Sequence, residues 1–230
     1  MRINKFLSEC GVCSRRQADA IIESGQVNIN RTVARLGDQV SDNDRVFYKG
    51  KEVKRKAEKI FIALNKPVGI ECTTNRDIKN NIIDFLKYKE RVFPVGRLDK
   101  NSEGLILLTN DGDTANNILK ASNYHEKEYI VEVNKPITND FIKSMSSGVE
   151  ILDTITRECE VTKISKHSFK IILTQGLNRQ IRRMCEALGY EVLTLKRVRI
   201  LNIKLEDLRI GKWRMLKDYE VKELNQRLKS

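Results

Sequence analysis

Apolar positions fall into two regimes along the chain. Up to residue 48 they recur at short helical spacing and then alternate; from residue 60 onward they come as short solid runs between turn residues. Arg2 to Glu9 places Ile3, Phe6 and Leu7 along one face, which predicts a short helix ended by Gly11. Ser14-Arg15-Arg16-Gln17 is a capping-box pattern: the Ser14 hydroxyl can accept from the Gln17 amide while the Gln17 side chain reaches back. Ala18, Ile21 and Ile22 continue that helix, and Gly25 is a natural stop. Val27 and Ile29 alternate with polar neighbours, Asn30-Arg31 turns the chain, and Arg45 to Tyr48 closes the unit. Residues 1–48 therefore predict a small helical module with a hairpin.

Residues 49–59, KGKEVKRKAEK, hold six basic and two acidic residues and almost nothing that could build a core, so they read as a flexible linker. A second domain is expected over 60–230. It opens with the strand Ile60 to Leu64, and Asn65-Lys66-Pro67-Val68-Gly69 turns out of it. Arg91 to Val95 leads to Leu105-Ile106-Leu107-Leu108, an apolar run bounded by turn signals that reads as a strand buried on both faces. Ala115, Ile118 and Leu119 mark a helix ending near Ser122; His125 to Val133 contains a strand with Tyr129, Val131 and Val133 on one face; Thr138 to Ser147 is a helix stopped by Gly148. Cys159 to Ile164, Phe169 to Leu173 and Lys196 to Ile200 are further strands, the last with one charged face, and Tyr219 to Leu228 is a tail expected to fold back. Strands and helices mix without a β-α-β repeat. The fold class is therefore α+β, with a mixed, largely antiparallel sheet and flanking helices.

Charge sharpens this picture. Lys and Arg number 43 against 31 acidic residues, a net charge of +12, which argues for a polyanionic partner. Residues 1–59 carry +5 and the remaining 171 carry +7, so the smaller part is the more densely positive. No secretory segment and no run of membrane-spanning length is visible, and five scattered cysteines fit a reducing compartment; a cytoplasmic protein is expected, with no membrane partner. Cys10-Gly11-Val12-Cys13 has no second ligand pair at structural-zinc spacing, so no metal or other cofactor is expected.

Candidate chemistry gathers in Gly96-Arg97-Leu98-Asp99-Lys100-Asn101-Ser102-Glu103-Gly104, just before the core strand. Asp99 at the mouth of that strand, two residues from the Arg97 guanidinium, would be ionised yet poorly solvated, and such a carboxylate is a usable nucleophile. The plainer alternative is a solvated loop pair. Tyr129 could face a cleft with a ring face and a hydroxyl, or could be a core residue with a wet edge. Asn178 can cap a helix whose Ile181, Cys185 and Leu188 face inward, leaving Arg179, Arg182 and Arg183 on the other side. Arg15 and Arg16 open the second helix, where a phosphate would meet guanidinium groups and free amides.

Six stretches of the chain carry a resemblance. GRLDKNSEGLILLTNDGD is similar to the signature of the RsuA/RluB/RluE/RluF family of ribosomal-RNA pseudouridine synthases, and N-K-P-x-G at 65–69, Lys127-Glu128-Tyr129, Gln175 to Met184 and Gly211-Lys212-Trp213-Arg214 also resemble elements of that family. SRRQADAIIESGQVNIN resembles the S4 RNA-binding domain, which the family often carries N-terminally. The resemblance covers nearly the whole chain, and its wording from Gln175 to Glu186 is closest to the RluF-type subgroup. It implies Asp99 as catalytic nucleophile, Tyr129 as the base-stacking tyrosine, and Leu173 as the aliphatic residue packed on the target base. Leu177 stands where many members have an arginine thought to pair with the nucleophile, and Arg179 is the substitute considered.

The expected activity is isomerisation of uridine to pseudouridine in 23S rRNA, with a tRNA anticodon uridine as a second candidate, on a flipped-out nucleotide and by a monomer. Arg97, Asn178, Arg179 and Arg182 join Leu173 as expected substrate contacts. Arg2, Lys5, Arg15, Arg16, Lys54, Arg55, Arg183, Lys196 and Arg197 are expected to grip phosphates. Two rivals stand beside this reading: a non-catalytic RNA-binding ribosome-assembly factor, and a retaining glycosidase with Glu103 as its second carboxylate.

Overall fold

The computed structural model describes residues 1–55 and 58–229. The chain divides into a smaller unit, residues 1–60 with 89–91 and 110–112, and a larger unit formed by the rest.

In the smaller unit, α1 (Ile3–Glu9) and α2 (Arg15–Glu23) pack over a four-stranded antiparallel sheet ordered β2-β1-β3-β4. Its strands are β1 (Val27–Ile29), β2 (Thr32–Val33), β3 (Val46–Tyr48) and β4 (Lys51–Val53). Both halves of the expected capping box are present: the Gln17 amide donates to Ser14 Oγ at 3.3 Å and the Ser14 amide to Gln17 Oε1 at 3.0 Å. Ile3, Leu7, Ala18, Ile22, Val27 and Val46 form the core. The linker expectation needs a correction. Lys51–Val53 pairs with β3, because Lys49 and Gly50 make a tight turn with positive φ that sends the chain back along its own edge. Residues 56 and 57 of that stretch lie outside the described residues.

The larger unit is built on a nine-stranded sheet. Its strands are β5 (Phe61–Lys66), β6 (Phe93–Pro94), β7 (Glu103–Thr109), β8 (Lys127–Val133), β11 (Glu160–Lys163), β12 (Ser168–Leu173), β13 (Val192–Ile200), β14 (Ile203–Lys204) and β15 (Trp213–Met215). The main order is β11-β12-β8-β13-β7-β5-β15, with β14 on β13 and β6 on β7. Every pairing is antiparallel except β13 with β7. Helices α3 (Ile82–Leu86), α4 (Gly112–Leu119), α5 (Asn139–Ser146), α6 (Gln180–Ala187) and α7 (Asp218–Arg227) flank it, and a short hairpin, β9 (Glu150–Ile151) with β10 (Thr154–Ile155), projects between α5 and β11. The α+β class and largely antiparallel mixed sheet agree with the sequence expectation. The short α3 and the β9–β10 hairpin were not anticipated, and β13 begins four residues earlier than expected.

β7 organises this unit. Leu105, Ile106, Leu107 and Leu108 are all essentially inaccessible, as a run apolar on both faces requires. One edge of β7 pairs with β5 from Gly104 to Thr109. The other edge is shared: β13 pairs at Glu103 and Gly104, β6 at Leu108 and Thr109, and between them Val95 N donates to Leu107 O at 2.7 Å. The chain that leaves β6 must therefore loop out, residues 96–102, before it can re-enter as β7. That loop carries Asp99.

Candidate active site

The 96–102 loop is fixed at several points. Gly69 N donates to Lys100 O at 2.8 Å, Leu98 N to Cys72 Sγ at 3.4 Å, and Ser102 N closes a turn onto Asp99 O at 3.0 Å. Beneath it Lys66 is fully buried and donates to the carbonyls of Pro67 and Ile70, both at 2.9 Å; burial pulls its ammonium below the usual lysine value. The side chain of Ser102 is buried as well.

A cavity of about 350 Å³ opens over this loop, within the range of small-ligand sites. Asp99 is the one carboxylate among the described residues that line it, against five cations: Arg97, Lys127, Arg179, Arg182 and Arg197. Tyr129 and Leu173 form part of the wall, both nearly inaccessible, and Ile118, Leu195 and Ile200 supply apolar surface. The site is thus a half-apolar slot with a positive field and one anionic group.

Several expected residues converge here and others do not. Asp99, Tyr129, Leu173, Arg97, Asn178, Arg179 and Arg182 all line the cavity. Arg97 is exposed, and among the described residues no cation lies within ion-pair distance of the Asp99 carboxylate, so the anticipated Arg97–Asp99 pair does not form. Arg179 is also exposed, held in the left-handed region at φ 49°. It is Arg182 that is fastened to the Asp99 loop, donating to Asn101 O at 2.8 Å, Ser102 Oγ at 3.3 Å and Val192 O at 3.2 Å. Burial, and then Arg179, lower the Arg182 value, while Asp99 acts in the opposite sense. Asn178 is not the α6 cap. Arg179 occupies that position without a side-chain bond, Gln180 Oε1 accepts from Leu177 N at 3.1 Å, and Arg183 turns back onto Asn178 at 3.1 and 3.3 Å.

The largest correction concerns Arg197, expected on an exposed basic face. A bulge between Arg197 and Arg199 breaks the alternation of β13, and Arg197 is turned inward, only 3% exposed. Its Nε donates to Leu105 O at 2.7 Å, filling the gap on β7 between β13 and β6, and its guanidinium carbon sits 6.0 Å from the Tyr129 ring centroid. Arg199 is consumed by Glu128 and Glu126 at 2.8 and 2.9 Å. Lys196 is half-buried. In the smaller unit Arg2, Arg15 and Arg16 are exposed, Lys5 faces Glu9 at 3.6 Å, Lys54 is exposed, and Arg55 pairs with Asp42 at 2.7 Å.

Two cavity residues were not named among the expected contacts. Lys127 donates to His125 O at 3.0 Å, and burial, with Arg197 adding, brings its ammonium down to about 8. Gln175 follows β12 with its amide nitrogen buried. Both lie in blocks that carry the resemblance, Lys127 in K-x-Y and Gln175 at the head of the 175–184 block, but neither was singled out there. Glu103 does not line the cavity, which removes the second carboxylate a retaining glycosidase needs.

Known proteins match the chain over nearly its whole length. The family model described as RNA pseudouridylate synthase matches residues 60–187, and the S4 domain model matches residues 1–46. The chain is 54% identical over 226 residues to the dual-specificity RNA pseudouridine synthase RluF of Escherichia coli, covering 97% of this chain and 78% of that protein. It is 34% identical over 232 residues to the ribosomal large subunit pseudouridine synthase B of Bacillus subtilis, covering 97% and 95%. A crystal structure of a pseudouridylate synthase superposes with a TM-score of 0.72 at 28% identity, covering 97% of this chain and 99% of that one.

Proposed function

The chain belongs to the RNA pseudouridylate synthase family, and on that premise we propose that Asp99 is the nucleophile of its uridine isomerisation, with Tyr129 and Leu173 holding the flipped base and Arg182 holding the loop that carries Asp99. The protein is a pseudouridine synthase with an S4 RNA-binding domain. Its reaction breaks the bond between ribose C1′ and uracil N1, turns the base, and joins C1′ to C5. The C5 hydrogen leaves as a proton and N1 gains one, so the reaction is redox-neutral and needs no group donor.

The observation that carries the assignment is the lone carboxylate among five cations in one slot. The exposed Arg97 and Arg179 draw the phosphates on either side of the target nucleotide. Tyr129, on the wall of the same cavity and nearly inaccessible to water, can stack on the base and assist loss of the C5 proton. Arg97, Asn178 and Arg179, exposed at the rim, meet the sugar-phosphate of the extruded nucleotide. Arg2, Lys5, Arg15, Arg16, Lys54 and Arg55 of the smaller unit, with Arg183 and Lys196, supply further phosphate contacts. Two amides at the start of α2 are taken by the capping box, so a phosphate there meets chiefly the guanidinium groups of Arg15 and Arg16.

The likeness to a ribosomal large subunit pseudouridine synthase supports 23S rRNA as the substrate, and the likeness to a dual-specificity enzyme supports a second RNA, for which a tRNA anticodon uridine is the candidate. We further propose that residues 1–48 act as the RNA-gripping module, residues 60–230 as the catalytic domain, and that the protein works in the cytoplasm as a monomer; among the described residues no helix is long and apolar enough to cross a membrane. A purely structural assembly factor would have no use for a carboxylate among phosphate-binding cations. Tritium release from [5-³H]uridine-labelled 23S rRNA and tRNA tests this. Wild type is expected to release tritium and Asp99→Ala to release none while still binding RNA. Equal release by both would reject Asp99 as nucleophile.

A further inference from the structure

Five buried side-chain polar atoms lack a partner among the described residues: Asn65 Oδ1, Gln175 Nε2, Arg182 Nε, Arg197 Nη2 and Asn202 Oδ1. The three nitrogens are all donors, and all three residues line the one cavity that holds Asp99; Asn65 and Asn202 do not. A buried donor left unpaired has lost its water without return, at a cost that is larger still when the group is charged. Three unpaired donors on side chains that line one cavity favour an occupant that brings acceptors. Arg182 already spends its terminal nitrogens on the Asp99 loop and on Val192. Gln175 and Arg197 remain. Arg197 is the better fixed, being 3% exposed, tied through Nε to Leu105 O and paired through its backbone with Tyr129 and Gly104.

We propose that Gln175 and Arg197 are the specificity-determining donors that read the two carbonyl oxygens of the reacting base. The proposal rests on the isomerase reading and assigns what that reading leaves open. Uracil presents one acceptor on either side of its N3–H. The turn that replaces N1 by C5 at the sugar is a half-rotation about the axis through N3 and C6, and that rotation exchanges O2 and O4. One pair of donors therefore serves the base before and after the turn, which keeps a detached base oriented without a second set of contacts. The Arg197 cation also opposes the negative charge that the two oxygens share when the glycosidic electrons leave with the base. Cytosine places an amino group where uracil has O4, so one donor would face another in a buried slot, a mismatch that hydrogen-bonding sites reject strongly.

The test couples protein and substrate changes. Single-turnover loss of a C5 label is followed on a target RNA carrying uridine, 2-thiouridine or 4-thiouridine at the modified position, since sulfur is the poorer acceptor. Wild type is expected to slow on the order of tenfold with either thio base, and Gln175→Ala to slow on the order of tenfold on uridine. If Gln175 reads the oxygens, Gln175→Ala loses only about threefold or less further on the thio bases, because the contact is already gone. Arg197→Lys, which keeps the charge but not the fork, is expected to behave in the same way. Should Arg197→Lys fail to fold through loss of the Leu105 contact, Gln175→Ala, verified as folded by Trp213 fluorescence, decides alone. Full, independent penalties in Gln175→Ala would overturn the proposal while leaving the isomerase intact. No label loss by wild type on uridine would overturn the isomerase reading and this assignment with it.

Discussion

Replacing Gly104 by alanine should damage both stability and catalysis, through one atom. Gly104 sits at φ +107°, a conformation L residues rarely adopt, and a Cβ built there would lie 2.3 Å from Arg197 O and 2.7 Å from Arg197 N. These are backbone atoms in the middle of the sheet, so neither can swing aside. The strain of the backbone angle costs about 1–3 kcal/mol. Forcing β7 and β13 apart adds about 1–3 kcal/mol of overpacking and loosens their only parallel contact. Together this is about 4 kcal/mol, which for a unit of this size lowers Tm by roughly 10 °C. Gly69→Ala is the internal control: φ is +90° but nothing lies within 4 Å, so it reports strain without collision. The chain's single tryptophan, Trp213 on β15 of the same sheet, gives the readout by fluorescence during thermal or urea unfolding. Because the same displacement moves Arg197 and the loop before β7, kcat on RNA should fall more steeply than KM rises. A Gly104→Ala midpoint within about 2 °C of the Gly69→Ala midpoint would refute the reasoning, since the collision would then carry no cost.

Lys127→Met tests the buried ammonium. A lysine whose folded value is depressed to about 8 destabilises the fold fully below that pH, and the penalty fades as pH rises through 8 toward the unfolded value near 10.5. Removing the charge should therefore stabilise the larger unit more at pH 6.5 than at pH 9.5 by urea midpoint; an equal effect at both would show the charge is not strained. Arg15→Ala with Arg16→Ala should weaken RNA binding uniformly and reduce the slope of log K against log salt by about 2, measured by filter binding; an unchanged slope would remove α2 from the RNA contact. Glu220→Gln should destabilise by about 2 kcal/mol, because the buried Glu220 carboxylate accepts from Arg214 at 2.6 and 2.8 Å and from Lys217 N at 2.7 Å; a change below about 0.5 kcal/mol would show that this bonded cluster carries little of the fold.

Much of this protein was legible in the chain because it is governed by neighbours in sequence. The capping box of Ser14 and Gln17 needs only residues three apart, and it formed as expected. The solid run from Leu105 to Leu108 can be stable only inside a sheet, so both its burial and the loop placement of Asp99 followed. The α+β class followed from the order of such segments, and the motif blocks pointed to the family. Other features depend on which backbone carbonyl is left without a donor once the sheet has assembled. Arg197 read as one more surface cation in an alternating strand; β7 has a carbonyl at Leu105 that neither β13 nor β6 can reach, and the nearest side chain able to fill that gap is drawn inside. Likewise Arg182, rather than Arg97 or Arg179, is fastened to the Asp99 loop, because α6 leaves β12 through a left-handed Arg179 and points the next turn at that loop. Periodicity and local hydrogen bonding are written along the chain, whereas the completion of buried polar groups is settled only when distant strands meet.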